Sequence, residues 1–159
     1  MKVAVIGIGQ SLRGDDAAGL DAIRQWQEEH PETAGRPEVR VEASELPGLA
    51  LLDLLQDAEA AIIVDAVKSS AMPGTIHRIN PDDLSAFTSD AQSAHGWGVT
   101  ETIQLGRKLY PTLKNLPIRL IGIEAEQFSM GSGLSQKVAQ TIPALCRTIE
   151  DEVQTFLGK

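Results

Sequence analysis

Residues 3–19 read VAVIGIGQSLRGDDAAG, and this stretch decides the fold class. Val3 to Ile8 is a short apolar run rich in β-branched residues, broken by Gly7 and Gly9: a buried strand entering a turn. Asp15 and Asp16 then stand ahead of Ala18, Leu20, Ala22, Ile23 and Trp26, a periodic stretch that reads as a helix. Acidic residues suit a helix start, where unbonded N–H groups carry partial positive charge.

Outward from this unit, strands and helices alternate. Pro31 and Gly35 close it. Val39 to Ala43 is a second strand, and Pro47 opens a second helix through Leu49, Leu51, Leu52, Leu54 and Leu55. Ala60 to Asp65 (AAIIVD) is apolar on both faces and so belongs at the centre of a sheet. Met72-Pro73-Gly74 marks a turn, and the alternating Thr75 to Ile79 reads as an antiparallel edge strand. Pro81 to Trp97 is polar and reads mostly as loop. Thr100 to Leu109 is a third helix and Pro117 to Glu124 a further strand. Gly131-Ser132-Gly133 is a turn, after which Ser135 begins a last helix through Leu157, kinked by Pro143. The alternation predicts an α/β fold with a largely parallel sheet and helices on both faces. Ligands of such folds bind at the carboxyl ends of the strands.

A length of 159 residues predicts one domain, 1–159. Apolar and charged residues, 42% and 23%, are ordinary for a globular protein. A formal net charge of −8 with no basic stripe argues against a nucleic-acid partner. With one cysteine, Cys146, no intrachain disulfide can form, and a reducing cytoplasm is the expected compartment. The opening run MKVAVIGIGQ is too short for a signal peptide. No apolar run nears the roughly 20 residues that cross a bilayer.

Three strand-end positions carry chemistry. The first strand runs into Asp15 and Asp16, the third ends at Asp65, and the loop before the third helix carries His95. With strands one and three adjacent, Asp16, Asp65 and His95 can converge on one edge. Two carboxylates and an imidazole suit a borderline divalent ion such as Zn, Ni, Co or Mn, and three ligands leave positions open. Asp15 reads as secondary, a cap of the helix or a partner of the turn at Arg13 and Gly14. His30 and His77 read as structural, and Trp97 as a candidate wall of the site. A dinucleotide fingerprint fails, because Leu12 stands where its third glycine belongs and two acids would face the pyrophosphate. Ser93, Ser129 and Cys146 show no base partner for nucleophilic catalysis.

GIGQSLRGDDAAG, IIVDAV, SAHGWG and GIEAEQFSMGSGLSQKV, taken in order, resemble the motifs of the hydrogenase maturation endopeptidases. The first corresponds to that family's G-x-G-N-x-L-x-x-D-[DE]-G-x-G. The resemblance implies a three-layer α/β/α sandwich on a twisted, mainly parallel five-stranded sheet. It implies an endopeptidase that removes a C-terminal extension from the large-subunit precursor of a [NiFe] hydrogenase after nickel insertion. By motif position the metal-binding, catalytic residues are Asp16, Asp65 and His95. The divalent metal is then the nickel of the precursor, for which Cd²⁺ or Zn²⁺ can substitute. The implied partner is the precursor, with no nucleic acid or membrane, and the protein is expected to be a monomer. Gln10 stands for the usual Asn, Ala17 for Gly and Ala125 for Pro. Ala17 disfavours a positive φ, so a reshaped turn is expected. Two other readings compete: a non-catalytic chaperone for the precursor with the same fold, and a receiver-type signalling domain. The latter expects a lysine after the last strand, where Glu124-Ala125-Glu126 stands.

Overall fold

The computed structural model describes residues 1–45, 48–82, 92–93 and 98–158. Its frame is a sheet of β1 (Val3–Ile8), β2 (Val39–Ser44), β3 (Ala60–Lys68), β4 (Ile76–Ile79) and β6 (Ile118–Glu124), in the spatial order β2-β1-β3-β6-β4. β1 runs parallel to β2 and β3, β3 runs parallel to β6, and β4 closes the edge antiparallel to β6. The mostly parallel sheet with one antiparallel edge strand is as the sequence predicts. A two-residue strand, β5 (Gln92–Ser93), adds an antiparallel pairing to Val67 and Lys68. Two residues are too few to show a period, so that pairing leaves no trace in the sequence.

The helices are α1 (Ala18–Glu29), α2 (Pro31–Ala34), α3 (Ala50–Leu55), α4 (Val99–Leu109) and α5 (Gln136–Leu157). α1 and α5 cover one face of the sheet through Ala22, Ile23, Trp26, Leu145, Ile149 and Val153. α3 and α4 cover the other through Leu51, Leu52, Leu55 and Ile103. Three layers result, with β1 and β3 buried on both sides, as their unbroken apolar runs require. Successive residues of β3 face opposite layers: Ala60, Ile62, Val64 and Ala66 meet α1 and α5, whereas Ala61 and Ile63 meet α3 and α4. Asp65 therefore belongs to the α3–α4 face.

Boundaries differ in instructive ways. β3 does not stop at Asp65 but continues to Lys68. β6 stays in register with it as far as Val67 opposite Glu124, and Ala125 N then donates to the Val67 carbonyl at 2.8 Å. Pro31 opens a short helix, α2, instead of ending a unit, because its fixed φ suits the first helical position. The second long-range helix is shorter than predicted: α3 starts at Ala50, and Pro47 lies outside the described residues. α5 passes Pro143 as one continuous helix.

Candidate metal centre at the carboxyl edge

The chain leaves β1 through a tight turn. Arg13 N donates to the Gln10 carbonyl at 3.1 Å and Asp16 N to that of Arg13 at 3.0 Å. A 3-10 turn, Gly14–Ala17, then leads into α1. Two glycines make the close packing possible. A Cβ on Gly9 would overlap the Asp16 carbonyl oxygen, and one on Gly19 would lie 2.6 Å from the Val64 carbonyl oxygen and 2.8 Å from that of Ile8. The first turn of α1 thus rests on the ends of β1 and β3. Asp16, one turn earlier, is set at the mouth between those two strands. It is fully buried, and its Oδ2 accepts from Gln10 N at 3.0 Å. That contact uses the Gln10 backbone, so exchanging Asn for Gln leaves it intact. Ala17 has φ −76° and ψ −7°, an ordinary right-handed conformation. Nothing at that position calls for a positive φ in this chain.

Asp65 sits on β3, paired with Gly122 of β6 and almost fully buried. Asp16 thus lies in the turn after β1, and Asp65 three residues before the end of the neighbouring β3, both toward the carboxyl edge. The Oδ1 atom of each is shielded from solvent. His95 and Trp97 lie outside the described residues. The first described residue after them, Gly98, opens α4, which packs on the same face as Asp65. Among the described residues, no three His, Cys, Asp or Glu side chains form a metal-holding group. Asp16 and Asp65 are the two described carboxylates of the expected set, and carboxylate oxygens by themselves suit hard divalent ions such as Mg²⁺, Ca²⁺ or Mn²⁺.

Asp15, also fully buried, plays another part. Its Oδ2 accepts from Glu126 N at 2.8 Å, Gln127 N at 3.2 Å and Ser135 Oγ at 2.9 Å, and its Oδ1 from Ser135 N at 2.7 Å. These are not the partners expected of it. Asp15 neither caps α1 nor bonds the Arg13–Gly14 turn; it ties down the loop from β6 to α5. That loop also meets the β1–α1 turn through an Arg13–Met130 bridge and a 2.8 Å bond from Gly131 N to the Leu12 carbonyl. The Arg13 guanidinium lies over the Phe128 ring at 5.8 Å. On the opposite side, Ser11 donates through its N–H (2.8 Å) and hydroxyl (2.9 Å) to Glu45, bonds that hold this exposed carboxyl below its usual value.

Sequence reasoning missed one buried acid at this edge. Glu124, the last residue of β6, is wholly enclosed and accepts from Ser69 and from His77. An acid that closes the apolar run of a central strand was an available signal. His77 is structural, as expected. A cleft of about 290 Å³ lies at the opposite, amino edge, beside Lys2, Glu38, Arg40 and Asp57. It is far from Asp16 and Asp65 and takes no part in their chemistry.

The sequence pattern of the family described as hydrogenase maturation protease matches residues 41–152. The hydrogenase expression/formation protein HupD of Rhodobacter capsulatus is 35% identical over 103 residues, covering 64% of this chain. This chain spans about half of that relative's length, the match taking in 48% of it. The [NiFe] hydrogenase maturation protease HybD from Thermococcus kodakarensis superposes with a TM-score of 0.73 at 25% identity, covering 96% of this chain and 99% of its own. The hydrogenase maturating endopeptidase HybD from E. coli shares the fold, with a TM-score of 0.78 at 21% identity over 98% of this chain and 93% of its own.

Proposed function

This chain belongs to the hydrogenase maturation protease family, and from that premise we propose that it is an endopeptidase acting on the large-subunit precursor of a [NiFe] hydrogenase. It removes a C-terminal extension once nickel is in place. The observation that carries this reading is the pair of buried carboxylates, Asp16 in the turn after β1 and Asp65 in the last part of the neighbouring β3. A cation beside buried carboxylates favours their charged form. The cation here is the substrate's own nickel.

In this reading Asp16, Asp65 and His95 add ligands to an ion that the precursor already holds, and so dock the scissile segment at the carboxyl edge. A precursor without nickel offers nothing for them to bind. Losing about 4 kcal/mol of such binding lowers productive association roughly a thousandfold. That suffices for a checkpoint without a regulatory domain. The loops around Asp16 and Asp65 then orient the peptide relative to the ion, which is where proximity contributes most to rate.

The test is cleavage of the cognate precursor, nickel-loaded and nickel-free, followed by intact mass at its C-terminus. Wild type is expected to cut only the loaded form, and Asp65→Ala and His95→Ala to cut neither. Equal cutting of both forms would refute the checkpoint. Tight binding of loaded precursor with no change in mass would instead make this chain a maturation chaperone.

A further inference from the structure

Two buried carboxylates apart from Asp16 and Asp65 hold the loop after β6: Asp15 bonds the loop itself, and Glu124, from which the loop leaves β6, is anchored to Ser69 and His77. Asp15 takes the amides of Glu126, Gln127 and Ser135 and the Ser135 hydroxyl. Glu124 takes Ser69 N at 2.6 Å, Ser69 Oγ at 2.5 Å and His77 Nε2 at 3.1 Å. The Glu124 backbone is held as well: its N–H donates to the Thr75 carbonyl and its carbonyl accepts from Gly74 N, both at 2.8 Å. Between the two acids, Lys68 Nζ donates to the carbonyls of Ala125 at 3.2 Å and Glu126 at 2.9 Å.

Packing fixes only part of this loop. Ala125 is buried and Phe128 and Leu134 pack against the core, but Glu126 and residues 129–133 are exposed. The polar grip holds the exposed part of its conformation. The loop is also joined to the turn that carries Asp16, through the Arg13–Met130 bridge, and it follows the strand that flanks Asp65. We propose that Asp15 and Glu124 are positioning residues, which together hold residues 124–135 as a rigid wall beside Asp16 and Asp65 for the scissile segment of the precursor. The inference rests on the endopeptidase reading above. Asp15 must be a carboxylate for a simple reason. Each of its oxygens faces only donors, so an Asn there would turn an NH₂ group against an N–H. Glu124 Oε2 accepts from the Ser69 amide, but its Oε1 meets Ser69 Oγ and His77 Nε2, which can also accept, so at this position only loss of the side chain breaks the anchor.

Asp15→Asn and Glu124→Ala test the proposal, studied well below their melting temperatures so that both are folded. Exchange protection at the amides of Glu126, Gln127 and Ser135 is expected to fall about tenfold or more in Asp15→Asn. On nickel-loaded precursor, kcat is expected to fall about tenfold or more in each variant, with KM within about threefold, because a misplaced wall spoils orientation more than binding. Titration with Cd²⁺ should give an affinity within about twofold of wild type, which separates these residues from metal ligands. A folded variant with wild-type kcat overturns the positioning role, and collapse of Cd²⁺ affinity does so by placing the residue in the donor set. Unchanged amide protection overturns the grip itself, whatever the activity. A wild type that leaves loaded precursor intact overturns the cleavage reading instead, and the positioning role with it.

Discussion

At the residue scale, the site depends on what is missing at Gly19. A methyl group there would press on two carbonyl oxygens, those of Val64 and Ile8, and neither can move without disturbing the sheet. Gly19→Ala should therefore lift the start of α1 off β1 and β3 and carry Asp16 with it. Equilibrium urea unfolding should show a loss of about 1–3 kcal/mol, and calorimetry a weaker response to Cd²⁺. Ala17 makes the opposite case. Its helical φ and ψ mean that restoring the family's glycine gains nothing. Ala17→Gly should cost about 0.5–1 kcal/mol through chain entropy and leave Cd²⁺ titration as in wild type; a stabilised variant would contradict the backbone geometry. Asp15 and Asp16 show where residue-level reading stops. Neighbours in one motif, both fully buried, they differ only in which loop each faces. That depends on contacts more than a hundred residues away, as the bond from Ser135 to Asp15 shows.

At the scale of elements, α1 and α5 are joined by a half-buried polar knot as well as by apolar packing. Glu150 accepts from Trp26 Nε1 at 2.8 Å, Thr33 Oγ1 at 2.9 Å and Gln154 Nε2 at 2.8 Å, with His30 Nδ1 3.8 Å away. Burial raises the Glu150 carboxyl. The hydrogen bonds from Gln154, Trp26 and Thr33, with the nearby His30 charge, more than offset this and leave it below its ordinary value. A carboxyl lowered in the folded state contributes stability that is fully present above its unfolded pKa and lost as pH falls through the folded one. Thermal melts of Glu150→Gln should thus show a loss of about 1–2 kcal/mol near neutral pH. The gap to wild type should narrow below about pH 4. A gap that widens in acid would reverse the sign and contradict the assignment. The sequence marks α1 and α5 clearly, through long apolar stripes. It marks α2 and α3 poorly, because helices of four and six residues complete barely one or two turns of period.

At the scale of the whole molecule, the layers were legible because each strand declares its depth. β1 and β3 are apolar on both faces and central, while β2 and β4 alternate and lie at the edges. The placing of Asp16 and Asp65 toward the carboxyl edge was legible for the same reason, since each follows the apolar run of a central strand, although β3 runs three residues past Asp65. The grip on the β6–α5 loop was not legible, because hydrogen bonds between loops leave no period in a sequence. Cys146 offers a test of the whole packed unit. Its thiol is buried on α5 against α1, 3.4 Å from the Ala22 carbonyl. Burial pushes its pKa up to about 12, so at pH 8 the reactive thiolate is roughly one part in ten thousand. An exposed cysteine near pKa 8.5 would be roughly a quarter ionised. The same side chain belongs to the core that joins β1, β3, β6, α1 and α5. Reagent can reach it only if that core opens. Labelling by a disulfide reagent in native buffer should therefore run at least about a thousandfold slower than in denaturant, as an opening free energy of about 5 kcal/mol or more requires. With increasing urea, the labelling rate should rise along the same transition as far-ultraviolet circular dichroism. Fast labelling in native buffer, with the dichroism unchanged, would mean that α5 parts from α1 while the sheet stays folded, and the two would then be separate cooperative units.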